Sequence, residues 1–210
     1  MTTHTLQKDL AQHKAQIKAC TQCPDMTGPP VTCGAEQSDI LLVGQAPGDK
    51  EPKLGRPFAW TAGKTLFKWF NHIGLAEDAF REQVYMAAVC RCFPGKNPKG
   101  GDRVPSPEEI AKCSVWLQQE MHFLKPTLLL PVGKLAIAQF MPVKKLTDVI
   151  GKIHDITYAG HNLQAIPLPH PSGLSTWYRT EPGKTLLQDA LQLINTHPAW
   201  QQAQTATDSV

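Results

Sequence analysis

Two short stretches carry the side chains best suited to chemistry. The first, DILLVGQAPGDKEPKLGRPFAWTAG (39–63), crowds Gln45, Asp49, Glu51, Arg56 and Phe58 into one loop rich in glycine and proline. Carboxylates, an amide and an aromatic ring at such close spacing suit the capture of a small, flat, polar group. The second, PHPSGLSTWYR (169–179), sets His170 between two prolines and follows it with Ser172 and Gly173. Histidine can hold or give a proton near neutral pH. Small residues with backbone N–H and hydroxyl groups suit a phosphate contact, and Trp177, Tyr178 and Arg179 add stacking surface and a cation.

Six cysteines form a third group: Cys20, Cys23, Cys33, Cys90, Cys92 and Cys113. Thiols stay reduced in the cytosol, so metal ligation is preferred to a disulfide framework. Cys20-Thr-Gln-Cys23 has ligand spacing. Cys92 precedes a polar loop, and Cys113 lies in the second turn of the helix that closes it, so these two complete a set of four. Spacing alone leaves zinc and an iron–sulfur cluster open. Cys33 and Cys90 read as small buried hydrophobes.

Strands and helices must bring these groups together. Ile40–Val43 is an apolar run short enough for a buried strand, and helical spacing over 62–73 follows the loop. Further strands are expected at 84–89, 127–132 and 163–167. Helices are expected at 5–19, from Ser106 to about 123, at 134–140 and at 182–196. Ser106, Pro107 and Glu109 form a capping box. The loop 93–107, with Lys96, Lys99 and Arg103, reads as solvated surface, and 143–162 as a short strand or loop. Strands alternating with helices predict a three-layer α/β/α sandwich around a mostly parallel four-stranded sheet. The first chemical stretch then leaves a strand at its carboxyl end, where open α/β sheets bind ligands. His170, just past the last strand, joins it on the same edge.

The 210 residues are expected to fold as one domain, with 1–38 supplying a helix and a metal-binding loop and the polar tail from 198 frayed. A net charge of +3 permits an anionic partner without demanding one. There is no apolar run of membrane-spanning length and no apolar core of a secretory signal at the N-terminus. A cytoplasmic monomer is expected.

GQAPGDKEPKLGRPFAWTAG resembles the first motif of the iron–sulfur uracil-DNA glycosylases, families four and five of that superfamily. HPSGLS resembles their second motif, and CxxC with RCFPG…PSPEEIAKC resembles their cluster-ligand segments. The resemblance spans about residues 20–195 in the right order. It implies a [4Fe–4S] cluster on Cys20, Cys23, Cys92 and Cys113, with zinc the lesser alternative. It implies uracil-containing DNA as partner and hydrolysis of the N-glycosidic bond of an extruded uracil. Phe58 then corresponds to the aromatic that stacks on the base. Gly44, Gln45 and Ala46 contact the base, the latter two through backbone amides. His170 donates to the uracil O2. Ser172 holds a flanking phosphate, and Pro171, Gly173, Leu174, Ser175 and Arg179 lie against DNA.

The chain also departs from that pattern. Ala46 stands where better-known uracil glycosylases carry a water-activating Asp, and Gln45 where family four commonly has Glu. Ala88 stands where family four reads uracil with Asn, as in family five. Asp49 and Glu51 are the carboxylates left to activate water, and other deaminated bases such as hypoxanthine enter the expected range. Two rival readings are a non-catalytic binder of damaged bases and a structural zinc protein that binds nucleic acid.

Overall fold

The computed structural model describes residues 3–35, 37–98, 100–173 and 175–207. Its centre is four parallel strands: β2 (Ile40–Gly44), β3 (Tyr85–Ala88), β4 (Leu128–Pro131) and β6 (His161–Ala165). Two edge strands run antiparallel to their neighbours, the two-residue β1 (Cys33–Gly34) beside β3 and β5 (His154–Tyr158) beside β6. The order among the described residues is β1-β3-β2-β4-β6-β5. Among the described residues the sheet thus has six strands rather than four. Both additions are edges. One is too short to show a period, and the other lies in the stretch 143–162, where the partly buried pattern of a hairpin edge gives no continuous apolar run.

The central strands are buried on both faces, and alternate residues serve opposite cores. Ile40, Leu42, Met86, Leu128 and Leu130 face α3 (Thr61–His72), α4 (Glu77–Gln83), α7 (Gly183–Thr196) and α8 (Pro198–Thr207). Leu41, Val43, Tyr85, Ala87 and Leu129 face α1 (Thr3–Lys18) and α5 (Pro107–Leu124). Helices on both faces make the expected three layers. Two single-turn helices, α2 (Glu51–Leu54) and α6 (Lys134–Ile137), follow β2 and β4. The capping box at Ser106 and Glu109 is present in full.

The expected frayed tail is instead α8. Trp200 is wholly buried there, against Phe70 and Phe80, and its indole N–H donates to the Ile73 carbonyl at 3.0 Å. One aromatic anchor, packed with Ala199 and Ala203, holds an otherwise polar segment to the core. The N-terminal segment is docked as well: the Thr27 and Val31 amides donate to the Phe93 and Arg91 carbonyls, both at 2.8 Å. No helix among the described residues is long and apolar enough to cross a membrane.

Candidate active site and cysteine cavity

The parallel strands end on one edge, and a cavity of about 760 Å³ opens there. Gly44, Gln45, Ala46, Asp49, Glu51, Phe58, Ala88, His170, Ser172 and Gly173 all border it. The glutamine-led loop and the histidine-led loop therefore close on one space, as expected. Pro171 is buried and Arg179 exposed, its guanidinium donating to Tyr178 Oη at 3.1 Å. Neither borders the cavity, nor does Ser175, whose amide donates to the Ser172 carbonyl. Leu174 lies outside the described residues, as do Lys99 and Glu36.

Phe58 is held from two sides. Its φ of 52° is unusual for an aromatic residue, so its surroundings must fix it. Arg81 donates to the Pro57 carbonyl at 3.1 Å and the Phe58 carbonyl at 3.2 Å. Glu77 pairs with Arg81 one turn earlier, and the guanidinium lies over the Phe67 ring. On the other side, Glu51 accepts the Gly48 amide at 3.0 Å and the Ala59 amide at 3.1 Å, one on each carboxylate oxygen. Burial raises the Glu51 carboxyl above its ordinary pKa, with those amides acting in the opposite sense. Both oxygens of this expected water activator are thus committed to bracing the loop. Asp49 is more open, 3.7 Å from Lys50 Nζ and 3.5 Å from Lys96 Nζ.

His170 stands against the backbone of Gly133, where a Cβ would come 3.1 Å from its Cδ2; Gly133, with φ of 87°, also permits the turn out of β4. The Ser172 amide donates to His170 Nδ1 at 3.2 Å. An imidazole that accepts at Nδ1 is neutral and carries its proton on Nε2. Burial lowers the His170 pKa and favours that neutral form, opposed by the charge of Asp102. The same bond turns the Ser172 amide inward, so its hydroxyl is what remains for a phosphate.

Several bordering residues were not singled out as site residues in the sequence. Trp60, Val104, Lys96 and Asp102 all line the cavity. The loop read as solvated surface folds over the site: Arg103 donates to both Glu109 oxygens and to the Pro94 carbonyl, and Lys96 joins Asp102 at 2.7 Å to Asp49 across the mouth. The density of Gly and Pro in 94–107, flanked by pairable charges, is the signal that such a loop is shaped.

Cys20, Cys23, Cys92 and Cys113 border a separate cavity of about 240 Å³, together with Arg91 and Trp116. Cys92 is pushed up to about 12 by burial and by its neighbours Cys113, Cys20 and Cys23, as expected of thiols gathered at one place. Among the described residues no three His, Cys, Asp or Glu side chains are placed to hold a single metal ion. Cys90 is buried in the same core cluster as Cys113, and Cys33, a residue of β1, is only partly buried, packed against the opposite core.

The profile of the Uracil DNA glycosylase superfamily matches residues 31–195. The chain belongs to that superfamily. It is 32% identical over 177 residues to a type-4 uracil-DNA glycosylase of Thermotoga maritima, covering 83% of this chain and 87% of the relative. A type-4 uracil-DNA glycosylase of Archaeoglobus fulgidus is 31% identical over 76% of this chain and 79% of its own length. A type-5 uracil-DNA glycosylase of Pyrobaculum aerophilum is 26% identical over 65% and 62%. Membership gives the shared edge of the sheet a meaning: Gly44–Phe58 and His170–Gly173 are the two segments of this superfamily member that meet at its cavity.

Proposed function

We propose that the chain is a uracil-DNA glycosylase, an enzyme that hydrolyses the bond between uracil and deoxyribose and leaves an abasic site. The observation that carries this reading is the meeting at one cavity of Phe58 and His170, whose Nδ1 accepts the Ser172 amide and so leaves Nε2 as the donor. The target base must leave its stack to be reached. Phe58 offers its ring to the extruded base, and the loop backbone at Gln45 and Ala46 contacts its edge. As the glycosidic bond lengthens, negative charge gathers on the uracil oxygens and positive charge on the sugar. A neutral imidazole donating through Nε2 stabilises the anion without first having to lose a proton. Such a donor, fixed in advance in a secluded site, contributes about 3 kcal/mol.

With Glu51 occupied as a brace, Asp49 is the carboxylate left to orient water toward the sugar. Ala88 supplies no side-chain amide to read uracil, so the pocket admits other deaminated bases, hypoxanthine among them. Ser172 Oγ and Gly173 hold the flanking phosphate, with Ser175 and Arg179 on the DNA side and the buried Pro171 shaping the turn between them and His170. The enzyme acts as a cytoplasmic monomer.

The four-cysteine cavity fits a [4Fe–4S] cluster better than zinc. The wholly buried Nε of Arg91 has no partner, and Arg91 borders the cavity, so an N–H donor awaits an acceptor such as a sulfur cage. Cys20, Cys23, Cys92 and Cys113 would hold the cluster, which would fasten the N-terminal segment, the loop after β3 and α5 together.

The deciding experiment incubates the purified protein with uracil-containing oligonucleotides, single-stranded and duplex, then cleaves abasic sites with alkali. Strand scission only where uracil was present is the expected result. Intact DNA on both forms would overturn the reading. A brown protein with broad visible absorbance that bleaches in Cys92→Ser but not in Cys90→Ser supports the ligand set. A colourless, zinc-containing protein would refute the cluster.

A further inference from the structure

We propose that Trp60 is a stacking platform for an unpaired nucleobase beside the one held in the cavity, with Lys64 receiving the adjacent phosphate. This rests on the glycosylase reading and extends it to the form of DNA bound: the site is built for a single strand.

Trp60 borders the base cavity and is 50% exposed, whereas the other four tryptophans are buried or half-buried. Local folding does not explain it. Trp60 occupies the N-cap of α3 and its side chain makes no capping bond there. Ser, Thr, Asp or Asn would serve the helix better. Val104, 56% exposed, is a second apolar side chain on the border of the same cavity. An aromatic ring left in water at the mouth of the proposed base cavity has one obvious use, which is to cover the face of another flat ring.

The charge nearby agrees. Lys64, one turn along α3, is exposed and places Nζ 5.9 Å from the Trp60 ring centroid. Thr61, also exposed, borders the cavity between them. Single-strand binders join an aromatic face to a cation in this way: the ring takes any base and the cation takes the backbone. In a duplex, the neighbours of an extruded base remain stacked and paired, so an outside ring gains little from them. In a single strand the adjacent base is free to turn onto it.

The test is a fluorescence-anisotropy titration of cluster-loaded protein. The probes are oligonucleotides carrying a tetrahydrofuran abasic analogue at the target position, single-stranded and duplex. Trp60→Leu keeps apolar bulk but removes the aromatic face. It should weaken single-strand binding roughly ten-fold, and weaken duplex binding much less, while Trp60→Phe keeps most of the affinity. Lys64→Ala should lessen the salt dependence of single-strand binding. Trp60→Leu binding the single strand as tightly as the parent, or losing affinity equally on both forms, would overturn the proposal. Failure of the glycosylase reading shows separately, as parent protein that releases no uracil, and leaves the titration able to decide the role of Trp60.

Discussion

Gly44 and Phe58 are in contact so close that any side chain at position 44 must displace the ring: a Cβ there would lie 2.9 Å from the Phe58 Cζ. Gly44 ends the central strand, and Phe58 is the ring proposed to stack on the base. The strand end therefore fixes the depth at which that ring stands. Gly44→Ala should push the ring toward the base and lower kcat/KM for uracil release by about ten-fold or more, since misplacement of roughly 1 Å costs as much as 100-fold in rate. Melting temperature should move by only a few degrees. Excision kinetics set beside thermal denaturation test this; unchanged kinetics would mean that Phe58 does not gauge the base.

His170 gives a signed pH dependence. Burial sets its pKa below the ordinary value of 6.5, and Asp102 opposes this without reversing it. Because the neutral form is the proposed donor, activity should stay level from pH 8 down through 6.5 and fall only below that. Stability follows the same direction. Just below pH 6.5 the unfolded chain takes up a proton that the folded chain refuses, so stability declines as pH falls. His197, also lowered by burial, adds to that decline, so the parent must be compared with His170→Gln. That variant should lose about 100- to 1000-fold in kcat, and the acid limb with it. An activity that rises on acidification would mean the imidazolium is the working form.

Glu51 separates bracing from base catalysis. Each of its oxygens accepts one backbone amide, Gly48 on one side of the loop and Ala59 on the other. Glu51→Gln keeps one acceptor and turns the other into a donor facing an N–H. It should destabilise the fold by about 1–3 kcal/mol and weaken excision through displacement of Phe58. Asp49→Asn, at the open rim, should leave the melting temperature alone and reduce kcat. Urea denaturation of both variants, read against their single-turnover rates, tells the roles apart. A Glu51→Gln protein of parental stability but without activity would restore Glu51 as the base.

Much of this arrangement could be read in the residues themselves. Ile40–Val43, the Ser106 capping box and the placement of His170 past the last strand all follow from short-range rules, and short-range rules act on neighbours in sequence. What escaped depends on distant partners. α8 exists because Trp200 finds Phe70, Phe80 and the Ile73 carbonyl more than a hundred residues away. The folding of 94–104 over the site needs Lys96 to meet Asp49. Glu51 looked like a free carboxylate because no local pattern reveals that the Ala59 amide returns to it. In each case a polar or isolated aromatic residue is committed by tertiary contact, which periodicity does not record.

The least legible feature is the ion pair beneath the cysteine cavity, and it yields the sharpest stability prediction. Arg91, between Cys90 and Cys92, is buried and pairs with Glu120 of α5, which is wholly enclosed and also accepts the Tyr85 hydroxyl at 2.8 Å. Burial alone would raise the Glu120 carboxyl. Arg91, the hydrogen bond from Tyr85 and the His13 ring, whose Nε2 stands 3.6 Å away, hold it below the usual range instead, so it is charged. Removing one member leaves its partner charged and unpaired in the core. Glu120→Leu should therefore destabilise the protein by about 3–5 kcal/mol, a fall in melting temperature of roughly 6–20 °C for a chain of this size. Adding Arg91→Met should restore most of that loss, since an apolar pair of similar volume replaces a buried ion pair at little net cost. The double variant should still hold the proposed cluster less firmly than the parent, having lost the Arg91 N–H donors at the cavity wall. Visible absorbance followed during chelator challenge, alongside thermal melts, reads both effects. Glu120→Leu melting within about 2 °C of the parent would show that the pair does not sustain the fold, and a double variant that keeps its colour as long as the parent would remove Arg91 from the support of the cluster.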